Sequence, residues 1–108
     1  MIEQLPVTAL HEWLTDEFRA KPLIVDVREP WENAICSLPN SQLVPMQHIA
    51  SLWNELPRDR DIVLFCHHGM RSLHVAGYLE SMGMSRLYNL SGGIAAWAEQ
   101  IDPTMARY

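Results

Sequence analysis

Cysteine is scarce in this chain: two residues, Cys36 and Cys66, among 108. That is too few for a disulfide framework, and the lack of a Cys-x-x-Cys spacing removes the signal for a zinc site or a thioredoxin-type pair. Positive charge is also short. Eight Lys and Arg stand against thirteen Asp and Glu, a formal net charge of −5, which excludes the basic face of a general nucleic-acid binder. No apolar run approaches the ~20 residues of a membrane span, and no signal-peptide pattern precedes the first element. Cytoplasmic residence with no membrane partner is therefore expected. Internal repeats and low-complexity segments are missing as well. What is there, 48% hydrophobic and 19% charged residues, is a globular composition, expected to form one domain over 1–108.

The apolar pattern alternates between helix and strand periods. Leu10, Trp13, Leu14 and Phe18 keep a helical spacing, with Thr8 as N-cap. "LIVDV" (Leu23–Val27), closed by "REP", has the β-branched density of a buried parallel strand. "QLV" before Pro45 is a weaker strand. Ile49, Leu52, Trp53 and Leu56 share one helix face that Pro57 stops. "IVLF" (Ile62–Phe65) is the strongest strand. Val75, Leu79 and Met82 mark the next helix, ended by Gly83. "RLYNL" is a last strand, which "SGG" turns into a helix carrying Ile94, Trp97, Ala98 and Ile101. Strands separated by helices predict an α/β fold with parallel pairing, right-handed crossovers and helices on both sheet faces. Ligands in such folds bind outside the carboxyl ends of the strands. Cys66 sits at one such end.

Three features of "CHHGMRS" point to a reactive Cys66. A helix beginning near Arg71 or Ser72 aims its unpaired N–H groups and partial positive charge back at the loop. Gly69 lets the loop curl so that successive amides face inward as an anion nest. Arg71 adds a permanent charge and forked donors within reach. Together they lower a thiol pKa and make Cys66 a thiolate nucleophile. The competing reading, a buried cysteine ending a hydrophobic strand, explains the thiol but not the residues behind it. Four residues separate Cys66 from Arg71, one fewer than in the Cys-x5-Arg loop of cysteine-dependent phosphatases. The smaller ring suits a sulfur atom bonded to the cysteine better than a phosphoryl group.

Over nearly its whole length the chain resembles the rhodanese-like sulfurtransferases in their small single-domain form. "LIVDVREPWE" is similar to that family's strand-and-turn signature, "CHHGMRS" to its six-residue active-site loop (Cys66 to Arg71) and the residue after it, and "LSGGIAAW" to its closing motif. The resemblance implies a central, mostly parallel five-stranded sheet with helices on both faces. It also implies a double displacement. The Cys66 thiolate takes the sulfane sulfur of a donor such as thiosulfate, then passes it to cyanide, a thiol or a protein cysteine. His67, His68, Gly69, Met70, Arg71 and Ser72 would bind substrate or stabilise the persulfide, with no metal or organic cofactor. Asp26 and Arg28 would brace the loop, beside their simpler role as an ion pair ending a strand.

Several alternatives stay open. "CSLPNS" replaces the family's Gly-His-Ile-Pro-Gly-Ala and keeps only Pro39, which places Cys36 where a glycine is usual. Cys36 is either a resolving thiol for a Cys66 persulfide or a half-buried bystander. His67 and His68 either attract an anionic donor or simply form the exposed rim. A metal site of Cys66, His67, His68 and His74 is disfavoured because adjacent residues seldom converge on one ion. His11 and His48 are expected at the surface, and Trp13, Trp31, Trp53 and Trp97 on helix core faces, with Trp31 a candidate for the pocket mouth. Beside sulfur transfer stand a persulfide relay or docking module and, less favoured, a phosphatase or arsenate reductase.

Overall fold

The computed structural model describes residues 1–108. Its elements run β1 (Glu3–Pro6), α1 (Val7–Thr15), β2 (Leu23–Asp26), α2 (Pro30–Ile35), β3 (Gln42–Leu43), α3 (Ile49–Leu52), β4 (Ile62–Phe65), α4 (Met70–Ser81), β5 (Leu87–Ser91) and α5 (Gly93–Gln100). The five strands form one sheet in the order β1-β5-β4-β2-β3, and every pairing is parallel. β4 lies at the centre with all four residues buried, because alternate side chains feed two cores. Ile62 and Leu64 pack with Val25, Val75 and Leu79 on one face, while Val63 and Phe65 pack with Leu10, Trp13, Ile94 and Trp97 on the other. No helix is long and apolar enough to cross a membrane.

The structure moves several sequence expectations. α1 starts behind an extended Pro6 and ends at Thr15, so Thr8 is not its cap and Phe18 lies beyond it, 93% exposed. β1 is an edge strand with no buried residue, which is why no alternation announced it. The face of Ile49, Leu52, Trp53 and Leu56 is real but broken, with 3-10 turns (Met46–His48 and Trp53–Glu55) flanking the four-residue α3. Met82 caps α4 from outside and is 38% exposed. α2 has no apolar stripe, and its one buried residue is Glu32. Its local signals are a Pro at the first turn and a reciprocal capping box between Glu29 and Glu32.

Candidate active site

The carboxyl ends of β4 and β2 lie side by side, and Val27 N–H donates to the Phe65 carbonyl at 3.1 Å. Cys66 follows β4 directly and is 1% exposed. Its Sγ accepts the backbone N–H of Gly69 at 3.1 Å and of Ser72 at 3.4 Å. The curl that aims these amides inward needs Gly69 at φ +107°, where an added Cβ would also press on the Leu90 carbonyl at 3.3 Å. α5 holds the outer side of the loop. Ile94 N–H and Ala95 N–H donate to the carbonyls of Cys66 and His67, both at 3.0 Å. Those carbonyls thus face away from the sulfur while the amides face it. The approach is so close that a Cβ on Gly93 would lie under 3.0 Å from both carbonyl oxygens. The "SGG" turn is therefore a structural requirement of the cysteine loop.

Asn89, buried on β5, locks the inner side. Its Nδ2 donates to the Gly69 carbonyl at 3.1 Å and to Gln4 Oε1 at 3.0 Å, while its Oδ1 accepts the Ser72 hydroxyl at 2.6 Å. Ser72 Oγ also lies 3.4 Å from Cys66 Sγ. One hydroxyl proton cannot serve both acceptors. It faces Asn89 beside a thiol and can turn to the sulfur once a thiolate forms. Burial pushes the Cys66 thiol up, but the Ser72 hydroxyl and the N–H groups of Ser72, Gly69 and Arg71 outweigh it, so the net shift is downward. α4 begins at Met70, one residue earlier than expected, so the Arg71 and Ser72 amides belong to its open first turn.

Arg71 corrects one expectation. Its main chain serves the sulfur, whereas its guanidinium turns to Glu32, Nη1 to Oε1 at 2.7 Å and Nη2 to Oε2 at 2.9 Å. Tyr108 Oη donates to Glu32 Oε2 at 2.6 Å. The Arg71 fork, against the opposing cost of burial and with Tyr108 and the Glu29 N–H assisting, holds the Glu32 carboxyl down at about 2. Asp26 and Arg28 form a fully buried pair at 2.7 Å, with a second bond from Arg28 Nε at 2.9 Å. Arg28 also donates to the Cys36 carbonyl at 2.7 Å, Tyr108 Oη at 3.1 Å and the Glu32 carbonyl at 3.4 Å. The pair thus braces α2 and, through Glu32, reaches the cysteine loop at one remove.

His67 is half-buried, stacked between His68 at 4.1 Å and Tyr108 at 4.0 Å between ring centroids. Burial first, then the charge of His68, lowers its pKa, which works against the donor-attracting one of the two roles left open for it. His68, His74 and Met70 are exposed, Met70 at 76%. Trp31 is exposed and meets Tyr108 edge-on at 5.8 Å. Cys36 is half-buried and unbridged, with Sγ 3.9 Å from Arg28 Nη1. No group of three or more His, Cys, Asp and Glu side chains is placed to hold a metal ion. Cavities of about 180 Å³ (Cys36, His67, His68, Tyr108 and neighbours) and about 430 Å³ (Val27, Glu29, Met46, Gln47, Arg71) flank the loop. Sequence reasoning missed Glu32, Asn89 and Tyr108. Only Glu32 had a local signal, the capping box, and that signal shows a helix start rather than a partner for Arg71.

Residues 10–100 match the family model described as Rhodanese-like domain. A protein named sulfurtransferase from Allochromatium vinosum is 37% identical over 106 residues, 98% of this chain and 97% of its own. Another, named thiosulfate sulfurtransferase GlpE, from Pseudoalteromonas translucida, is 33% identical over 69% of this chain and 71% of its own. Two further relatives are longer proteins, of which this chain spans 38% and 25%. Among solved structures, a rhodanese-like domain protein from Staphylococcus aureus superposes with a TM-score of 0.81 at 32% identity, over 88% of this chain and 90% of that one.

Proposed function

The chain belongs to the rhodanese-like domain family, and on that premise we propose that residues 1–108 act as one sulfurtransferase unit working through a Cys66 persulfide. Relatives named sulfurtransferase support sulfur transfer in general; the steps below are our own extension. The Cys66 thiolate attacks the outer sulfur of thiosulfate. A new S–S bond forms, the donor S–S bond breaks, and sulfite leaves with the bonding electron pair. A nucleophilic acceptor (cyanide, a small thiol or a protein cysteine) then attacks the outer sulfur and returns Cys66 as thiolate. Between the half-reactions the charge stays on sulfur, near amides already oriented before it arrives. No step calls for a metal or organic cofactor, and a reducing compartment such as the cytoplasm keeps the thiol free.

The observation that carries this reading is the approach of the Gly69 and Ser72 N–H groups to Sγ. Four residues between Cys66 and Arg71 support sulfur over phosphoryl chemistry. Intact-mass analysis after incubation with thiosulfate is expected to show one added sulfur on the parent and none on Cys66→Ser. Initial rates with thiosulfate and cyanide are expected to give parallel double-reciprocal lines. Intersecting lines with no added sulfur sink the persulfide scheme, and turnover of p-nitrophenyl phosphate in their place favours a phosphatase.

A further inference from the structure

We infer that Asn89 is a positioning residue for the nucleophile: its Oδ1 competes with Cys66 for the single proton of the Ser72 hydroxyl and so keeps the thiolate less heavily hydrogen-bonded and more reactive. The sulfurtransferase reading supplies only what that thiolate attacks.

Asn89 lies on β5, outside the cysteine loop, and is 2% exposed. The way its amide faces is fixed by chemistry. The Gly69 carbonyl can only accept, so the Asn89 atom 3.1 Å from it is the donor Nδ2. Oδ1 therefore faces Ser72, whose hydroxyl is its one donor, at 2.6 Å. On its other side the same hydroxyl lies 3.4 Å from Cys66 Sγ. Ser72 is 0% exposed, so solvent does not replace a proton withdrawn from Oδ1. The second amide proton goes to Gln4 Oε1 at 3.0 Å, which ties the arrangement to β1.

Ionisation of Cys66 sets the two acceptors against each other. If the hydroxyl turns to the sulfur, it gains a charged acceptor and leaves a buried amide oxygen without a donor. Those two effects are of the same order, so Asn89 offsets much of what Ser72 Oγ offers the thiolate. The Gly69 and Ser72 N–H groups face no such conflict. A thiolate that holds fewer donors is a smaller fraction of the sulfur but a better nucleophile, because nucleophilicity falls as the thiol pKa falls. Where the pH already ionises Cys66, Asn89 speeds the attack.

The test measures iodoacetamide alkylation of Cys66 against pH in the parent, Asn89→Leu, Ser72→Ala and the double variant. The charged and titratable groups around the loop, Arg71 with Glu32, His67 with His68 and Asp26 with Arg28, are common to all of them. Asn89→Leu is expected to move the curve about one pH unit lower, reacting about threefold faster on the acid limb and about threefold slower on the plateau. In the Ser72→Ala background the same substitution is expected to give no downward shift. Loss of the Nδ2 bond to Gly69 by itself loosens the loop and moves the curve upward. An upward shift in Asn89→Leu, no shift, or a downward shift that survives in the double variant therefore overturns the inference. Should Asn89→Leu fail to fold, the parent and Ser72→Ala decide through the NMR signal of the Asn89 side-chain carbonyl carbon. It is expected to shift across the Cys66 titration in the parent and far less in Ser72→Ala; equal shifts, or none in the parent, overturn the inference. Neither readout needs sulfur transfer. If no donor adds a sulfur to Cys66, the sulfurtransferase reading fails while the Asn89 result stands or falls by itself.

Discussion

The two neighbouring strand ends at this site handle charge in opposite ways. After β4 the chain presents one buried thiol, Cys66, and faces it with main-chain N–H groups that carry no net charge. At the end of β2 it presents Asp26, just beyond it Arg28 and, on α2, Glu32, each matched by a full opposite charge on a side chain. The amides are fixed by the curl at Gly69 and the clamp of α5, so they favour negative charge on the sulfur without a counter-ion beside it. The side-chain pairs give a rigid, nearly neutral block against which the loop is set. One region meets a single sulfur with oriented dipoles, and the other uses paired charges to fix its shape.

The comparison breaks most severely where a pair loses one member. Asp26→Ala leaves Arg28 buried without its carboxylate, with both side chains at 0% exposure. A loss of about 3–5 kcal/mol in unfolding free energy is expected, since the remaining charge has to be desolvated unpaired. Urea denaturation reads it directly. A loss below about 1 kcal/mol, the range of a surface ion pair, would mean that water reaches Arg28 and the block is not rigid.

How far the site could be read from sequence follows the same division. The cysteine loop was legible because it is local. Cys66, Gly69 and Ser72 lie within seven residues, and glycine at a curl before a helix has a direct conformational meaning. The block was not. Arg71 reaches Glu32 across 39 residues, Ser72 reaches Asn89 across 17, and Tyr108 reaches Glu32 across 76. A free arginine after a cysteine suggests an anion clamp, but a planar fork is satisfied equally well by a carboxylate that the fold brings to it. β1 escaped for a different reason: an edge strand without a buried side chain shows no alternation. The central strands and flanking helices were legible because burial on both faces leaves unbroken apolar runs.

A smaller change sharpens the amide side. Ser72→Ala removes the one mobile donor near Cys66 and keeps the Gly69 and Ser72 N–H groups. Thiolate is the species that alkylates, and Cys66 is held below the usual thiol range. Losing a donor moves the titration upward, so reaction with iodoacetamide near neutral pH should slow. The expected factor is roughly tenfold at most, about 1.4 kcal/mol for a hydrogen bond to a charged group, reduced by the competing pull of Asn89 Oδ1. The rate-against-pH curve should shift to higher pH and keep its plateau. An unmoved curve would assign the whole effect to the main chain.

The mildest test lies where the two regions touch. Tyr108→Phe keeps a ring to stack on His67, at 4.0 Å and 13° in the parent, and deletes the hydroxyl that donates to Glu32 and accepts from Arg28. About 0.5–1.5 kcal/mol per bond is expected at neutral pH. The two bonds differ in their response to acid. Glu32 is depressed from 4.5 to about 2, so the stability it contributes is fully present above 4.5 and drains away as the pH falls through about 2. Any share of the Tyr108 effect that runs through the carboxylate should fade over that window, while the share through Arg28 stays. Urea midpoints of parent and variant near neutral pH and again near pH 2, with salt held constant, separate the shares. A gap that narrows ties Tyr108 to the Arg71–Glu32 pair and hence to the charge at the loop; a constant gap makes it a prop for Arg28 and leaves that pair to set the charge unaided.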